Sequence, residues 1–118
     1  MLLVNFAATL FLAAVAWSIQ FVQLPLLRPE DAARHRRLNT QLVIVPMLIE
    51  AITTLWLVID RATPATITGE ILWLGVAIGT IGYTLAHSRG ALAQLPRWNL
   101  VRALCWTARS AILISIIR

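Results

Sequence analysis

The sequence has few of the groups from which soluble enzymes build their sites. It contains one cysteine, Cys105, and no lysine, and charged residues make up only 13% of its 118 positions. A single cysteine excludes an intrachain disulfide and a cysteine-rich metal site. The sequence also has no glycine-rich phosphate loop, no HExxH zinc motif and no serine–histidine–aspartate spacing. It therefore lacks the common signatures of soluble enzymes, and whether the chain catalyses a reaction stays open at this point.

Long apolar runs occupy most of the chain instead. Hydrophobic residues make up 59% of it, the mean hydropathy is +0.80, and about 18 apolar residues are enough to span a bilayer. Four runs reach that length, over residues 2–27, 38–59, 67–86 and 98–117. The first has no basic residue ahead of its apolar core, so we expect a retained span rather than a cleaved signal peptide. We predict one all-α domain over residues 1–118, a four-helix transmembrane bundle.

The basic residues are all arginines, and most of them lie at the ends of the apolar runs. The formal net charge is +5, and at this location it indicates contact with lipid headgroups, not with nucleic acid. The first and third connections carry most of these arginines, namely Arg28, Arg34, Arg36, Arg37, Arg89 and Arg97. The middle connection has only Arg61, and the C-terminus only Arg118. Because short arginine-rich loops stay in the cytoplasm, we predict both termini on the non-cytoplasmic side of a bacterial inner membrane.

Two charged residues, Glu50 and Arg109, lie deep inside predicted spans. A charge at the bilayer centre costs about 2.5–3.5 kcal/mol and needs a partner or a water-filled cavity. Counted from Asn39 and Asn99 at about 1.5 Å per residue, Glu50 lies about 16 Å and Arg109 about 15 Å into helices that run in the same direction. We predict that the two residues form a buried ion pair. The pair either fixes helix register only or belongs to a functional site.

The fourth run carries further polar residues on the face of Arg109. Asn99, Arg102 and Trp106 precede it at helical spacing, so we expect this stripe to face the bundle interior or a partner chain. Arg102 is only about one turn from the end of the run and could instead extend to the membrane surface. With polar residues from the cytoplasmic half of the other helices, the predicted ligand-binding or buried polar cluster comprises Gln20, Glu50, Tyr83, His87, Asn99, Arg102, Trp106 and Arg109.

Two histidines lie on the predicted cytoplasmic side, His35 in the first connection and His87 at the end of the third run. No carboxylate is placed beside either one, and no metal-ligand spacing surrounds them. We therefore predict interfacial positions for both, with no metal site and no cofactor. A haem held between them is the alternative that the sequence leaves open.

The third run has a face of small residues. Gly75 and Gly79 are followed by Gly82 and Ala86 at helical spacing. Small residues at this spacing allow two membrane helices to approach closely. The contact could lie within the bundle or across a homo-oligomer.

Three segments, at residues 17–27, 34–51 and 97–113, resemble small bacterial four-helix membrane proteins that have no assigned reaction. In addition, the Asn99-x-x-Arg102 motif after Arg97-Trp98 is distantly similar to the closing motif of the anthrone-oxygenase-like membrane domain family. That resemblance implies cofactor-free oxygenation of an aromatic substrate, with Asn99 and Arg102 at motif positions. The segment between the third and fourth runs is shorter here than in that family.

Three kinds of function are consistent with these features. The leading one is binding of a small amphipathic ligand in a cytoplasm-facing polar pocket, or docking as a subunit of a larger membrane complex. The second is a membrane oxygenase or oxidoreductase acting on a lipophilic aromatic or quinol-like substrate. The third is proton-coupled transport of a small molecule, with Glu50 as the proton-binding group.

Overall fold

The computed structural model describes residues 2–60 and 62–117, and over these ranges the chain is helical with short connections and no strand. Four long helices follow one another: α1 (Leu2–Leu26), α2 (Ala32–Asp60), α3 (Pro64–Ser88) and α4 (Leu95–Ile117). Short 3-10 turns at Pro29–Asp31 and Leu92–Gln94 lead into α2 and α4. The prediction of an all-α chain with four long helices is confirmed. Two arginines used in the topology prediction, Arg61 and Arg118, lie outside the described residues.

All four helices are long and apolar enough to cross a membrane. The bundle measures 46 × 20 × 18 Å, and its length is close to the about 40–45 Å of a bilayer with its headgroup regions. We call the end formed by the α1–α2 and α3–α4 connections the Arg-rich end. The side of the membrane on which this end lies stays a prediction.

The helices extend beyond the apolar runs from which they were predicted. The second helix begins at Ala32, where the sequence indicated a start at residue 38, and the fourth begins at Leu95, where it indicated residue 98. Pro29 occupies the first turn leading into α2 and is followed by Glu30 and Asp31. Proline and acidic side chains both favour a helix N-terminus. Hydropathy marks where lipid contact ends, whereas these signals mark where the helix itself begins.

Near its end, α1 contains a π-helical segment, Ile19–Gln23, and then continues through Pro25 to Leu26. Proline removes one backbone donor, and a π-helical turn is one of the ways in which a helix accommodates such a disturbance. Asn99 donates a hydrogen bond to the Ala16 carbonyl just before this segment, at 2.9 Å. The widened turn carries Gln20 and Gln23, which bond to α4 and α2 respectively.

Polar side chains lie inside the bundle and apolar ones outside. Asn5, Glu50 and Asn99 are completely buried. Large apolar side chains are exposed along every helix, including Leu3 and Phe21 on α1, Ile52 on α2, Ile78 on α3 and Leu104 on α4. Soluble proteins show the reverse arrangement. An apolar exterior around a hydrogen-bonded interior is what a bilayer requires.

The third and fourth helices pack together through the small-residue face of α3. A Cβ added at Gly75 would lie 2.8 Å from the Cys105 Sγ, and one at Gly79 would lie 2.8 Å from the Arg102 Cγ. A Cβ at Gly82 would overlap the Trp98 ring. The predicted close contact therefore lies within the bundle. In contrast, α2 and α3 have fewer contacts than the other neighbouring pairs.

We expect Gly82→Ala to destabilise the bundle by about 1–3 kcal/mol, because the new methyl group displaces the Trp98 ring. Gly69→Ala is the matched control, since a Cβ there meets only the Arg109 Nη1, at 4.0 Å. Reversible unfolding in mixed micelles measures both variants. Equal stability of the two variants would show that Trp98 moves aside without cost.

Candidate functional site

The predicted ion pair between α2 and α4 is present. The Arg109 Nε lies 3.8 Å from the Glu50 Oε2, and the two side chains are 2% and 0% exposed. The prediction of a buried Glu50–Arg109 pair is confirmed. At this distance the contact is electrostatic, and the short hydrogen bonds of both groups go to other partners.

Both oxygens of Glu50 accept hydrogen bonds from neighbouring helices. Thr9 on α1 donates its hydroxyl to Oε2 at 2.6 Å, and the Trp106 indole on α4 donates to Oε1 at 2.9 Å. The carboxylate is thus held by two donors and one cation.

Arg109 is held mainly by neutral acceptors. Its Nη1 donates to the Gly69 carbonyl on α3 at 2.8 Å. Its Nη2 donates to the Asn5 Oδ1 at 2.7 Å and to the Thr54 hydroxyl at 3.0 Å. The guanidinium therefore joins α4 to each of the other three helices.

Asn5 is the hub between α1, α2 and α4. Its Oδ1 accepts from Arg109, and its amide nitrogen, the donor, lies 2.7 Å from the Thr53 hydroxyl, 2.9 Å from the Thr54 hydroxyl and 3.2 Å from the Glu50 carbonyl oxygen. We call this set the ion-pair network, comprising Asn5, Thr9, Glu50, Thr53, Thr54, Trp106, Arg109 and the Gly69 carbonyl. Sequence reasoning missed Asn5, Thr9, Thr53 and Thr54, although an asparagine inside an apolar run is a recognisable signal.

A second polar group lies one to two turns closer to the Arg-rich end. Asn99 donates to the Gln20 Oε1 at 3.0 Å and accepts from the Arg102 Nη2 at 2.8 Å. The stripe predicted on α4 is thus buried along its length, and every member has a partner on the protein.

Arg102 is buried, at 5% exposure, and does not extend to the surface. Its guanidinium carbon lies 4.3 Å from the centre of the Tyr83 ring and 5.7 Å from that of Trp106. Its Nε has no hydrogen-bond partner among the residues that the structure describes. Among residues 2–60 and 62–117, the only salt bridge is the one between Glu50 and Arg109, so Arg102 has no counter-ion within that part of the chain.

His35 and His87 contact each other at the Arg-rich end. The His35 Nδ1 and the His87 Nε2 are 3.2 Å apart, and the rings stack with centres 5.5 Å apart. Tyr83 meets His87 edge-on at 5.7 Å. His87 is buried against His35 and Tyr83, although it lies in the last turn of α3. The described residues contain no group of three or more side chains able to hold a metal ion.

A cavity of about 510 Å³ separates α2 from α3 where these helices pack least closely. Its inner surface is closed by Ile19 of α1 and Arg102 of α4. The apolar part of the wall includes Val43, Ile44, Met47, Leu48 and Trp73. The polar part, towards the Arg-rich end, includes Arg36, Asn39, Thr80, Tyr83, Thr84 and His87.

Several buried polar atoms at this cavity have no hydrogen-bond partner within residues 2–60 and 62–117. They are the Thr80 hydroxyl, the Tyr83 hydroxyl and the Arg102 Nε, and the His35 Nε2 beside His87 is in the same state. Buried polar groups are nearly always bonded in native proteins, so such a cluster calls for an explanation. Elsewhere in the described chain the unbonded atoms are the Glu70 Oε2 and the Arg109 Nε, which faces Glu50.

The structure divides the eight predicted cluster residues into two groups. Tyr83, His87 and Arg102 line the cavity. The other five do not line it and are hydrogen-bonded to other helices of the bundle, namely Gln20, Glu50, Asn99, Trp106 and Arg109. The sequence indicated one vestibule lined by all eight. Glu50 does not reach it because its oxygens point to Thr9 and Trp106.

No protein-family model matches this chain, and no curated protein or solved structure matches it.

Proposed function

We propose that this protein is a multi-pass protein of the bacterial inner membrane that binds a small amphipathic molecule in the α2–α3 cavity. The observation that carries the proposal is the cavity itself, where the Thr80 and Tyr83 hydroxyls and the Arg102 Nε have no hydrogen-bond partner among the described residues. A bound ligand would supply the missing hydrogen bonds.

The size and lining of the cavity support a small-molecule ligand. Its volume of about 510 Å³ falls within the range of about 300–1,000 Å³ that is usual for ligand sites. Such sites are mostly apolar and have a few converging polar groups. Here one wall is built from aliphatic side chains and Trp73, and Tyr83 and Arg102 supply the polar end.

The direction of this polarity matches a molecule that enters from the bilayer. The polar side chains come from the first turns of α2 and α4 and from the last turns of α3, all of which lie at the Arg-rich end. The apolar wall continues towards the middle of the bundle through Met47, Ala51 and Trp73. An amphiphile in this cavity would place its head at the depth of lipid headgroups and its tail beside the lipid tails.

A substitution that fills the cavity tests the proposal. Ala51→Phe adds bulk at the apolar wall, so we expect it to weaken binding of a lipophilic probe at least about tenfold, or about 1.4 kcal/mol. Ala7→Phe is the matched control, since Ala7 lies in a groove between α1 and α2 on another face. Binding is measured by retention of a radiolabelled dodecyl-chain probe on protein immobilised in neutral maltoside micelles.

Comparing Ala51→Phe with Ala7→Phe separates binding of the probe in the α2–α3 cavity from its nonspecific partitioning into the protein–detergent micelle. If both retain the probe as the unaltered protein does, the molecule does not occupy the α2–α3 cavity. Mass spectrometry of an organic extract of the purified protein then adds an independent check. A stoichiometric amphiphile in the extract, reduced in Ala51→Phe and kept in Ala7→Phe, is the expected result.

A further inference from the structure

We infer that the ligand of the α2–α3 cavity is an anionic amphiphile, whose acidic head group pairs with Arg102. This inference rests on the proposed function and specifies the class of molecule bound. The head is a carboxylate or a phosphate monoester, and the tail is a single apolar chain.

The buried positive charge of Arg102 indicates that the ligand is anionic. A guanidinium stays protonated in proteins, and a buried charge without a partner is strongly unfavourable. Arg109, two turns further along the same helix, has Glu50 opposite it. Arg102 is just as inaccessible but has only the neutral Asn99 as a hydrogen-bonded partner. Within the described chain the missing component at Arg102 is therefore a negative charge.

The neighbours of Arg102 supply further donors and no competing acid. The Tyr83 hydroxyl, on a side chain only 6% exposed, has no partner and lines the same cavity. Thr80 offers a second unbonded hydroxyl, and Arg36 adds a second cation to the lining. No described residue that lines the cavity is acidic. This combination of cations and hydroxyl donors suits an anionic oxygen acceptor.

The apolar side chains in the rest of the cavity lining indicate that the ligand has an apolar tail. Ile44, Met47 and Leu48 line the side of the cavity provided by α2, and Trp73 lines the side provided by α3. Methionine is unbranched and flexible, so it adapts well to an apolar chain. The acidic head could be delivered by a membrane lipid or fatty acid, or by a small soluble anion from the aqueous phase, so the test includes both sources.

The experiment compares probes that share one chain and differ in head group. Laurate and dodecyl phosphate carry the acid, and dodecanol and dodecylammonium replace it by a neutral and a cationic group. Acetate and inorganic phosphate carry the acid without the chain. Each is measured by displacement of radiolabelled laurate from the complete protein in neutral maltoside micelles. We expect the two long-chain acids to bind at least about tenfold more tightly than the others, because a hydrogen bond to a charged group is worth about that factor or more.

Three variants assign the preference to Arg102. In Arg102→Gln, laurate and dodecanol are expected to bind within about twofold of each other, and Arg102→Lys is expected to retain part of the preference. Arg97→Gln removes an exposed arginine from the same helix and should behave as the unaltered protein does. If Arg102→Gln does not fold, the head-group comparison on the unaltered protein decides the question.

The outcomes distinguish this inference from the proposed function. If dodecanol binds as tightly as laurate to the unaltered protein, the inference is wrong and the amphiphile-binding proposal stands. If acetate or inorganic phosphate binds as tightly as the long-chain acids, the occupant is a soluble anion and the amphiphile assignment is overturned. If no long-chain probe is retained, the proposed function itself fails.

Discussion

Glu50→Gln is expected to destabilise the folded bundle by about 3–5 kcal/mol, the usual cost of removing one partner from a buried ion pair. The reason lies in what the substitution leaves behind. Arg109 stays 2% exposed with no carboxylate opposite it, and the new amide presents a donor nitrogen to either Thr9 or Trp106, both of which are donors to Glu50. Reversible unfolding in mixed micelles measures the loss.

A double-mutant cycle isolates the contribution of the pair. Arg109→Met alone should cost a similar amount, because it leaves the carboxylate buried without its cation. The combination Glu50→Gln with Arg109→Met should be more stable than the sum of the two losses by about 1–3 kcal/mol, as for other directly coupled residues. Arg36→Gln, an exposed arginine of α2, is the matched control for loss of charge. Additive losses would mean that Glu50 and Arg109 do not stabilise each other.

Asn5→Leu is expected to cost about 3–5 kcal/mol, although leucine suits a membrane helix better than asparagine does. Interhelical hydrogen bonds between neutral groups are worth about 0.6 kcal/mol each in membranes, and a hydrogen bond to a charged group is worth about 1.5–3 kcal/mol. Asn5 makes contacts of both kinds, with Thr53 and Thr54 on one side and with Arg109 on the other. Its replacement leaves the guanidinium of Arg109 with one partner fewer.

Asn39→Leu provides the comparison for Asn5→Leu. Asn39 is half-buried, and its amide bonds to the Gln23 side chain and to the His35 carbonyl of its own helix. Its loss should cost about 1 kcal/mol or less. Hydrogen exchange of α1 gives a second readout, because Asn5→Leu should release protection in the first half of α1 and Asn39→Leu should not. If the two variants are equally stable, Asn5 is not the hub that its contacts indicate.

The number of helices and the Glu50–Arg109 contact could be predicted from the sequence, because a bilayer allows few ways to span it or to bury a charge in it. Apolar runs long enough to cross a bilayer gave the number of helices, and the cost of a charge at depth predicted that Glu50 and Arg109 would meet. Helical periodicity placed Asn99, Arg102, Trp106 and Arg109 on one buried face. Each inference depended on depth or on angle around a helix, and both can be counted along a sequence.

Other members of the ion-pair network could not be predicted from the sequence, for a different reason. Thr53 and Thr54 resemble ordinary residues of a membrane helix, because a hydroxyl can bond to its own backbone, as Thr53 does with the Ile49 carbonyl at 2.7 Å. Whether such a hydroxyl also meets Asn5 depends on how two helices are rotated about their axes. The cavity has the same origin, since the separation of α2 from α3 is a property of packing and leaves no pattern in either helix.

The hydrogen bonds between α1 and α2 hold α2 at two places along its length, and α2 also forms one side of the cavity. The second half of α2 is fixed to α1 through Thr53, Thr54 and Glu50. Towards the Arg-rich end, Asn39 of α2 donates to the Gln23 Oε1 of α1 at 3.0 Å, and Asn39 belongs to the stretch of α2 that lines the cavity. A change in the tilt of this stretch of α2 would therefore change the width of the cavity, because glycine-mediated packing holds α3 and α4 together on the other side.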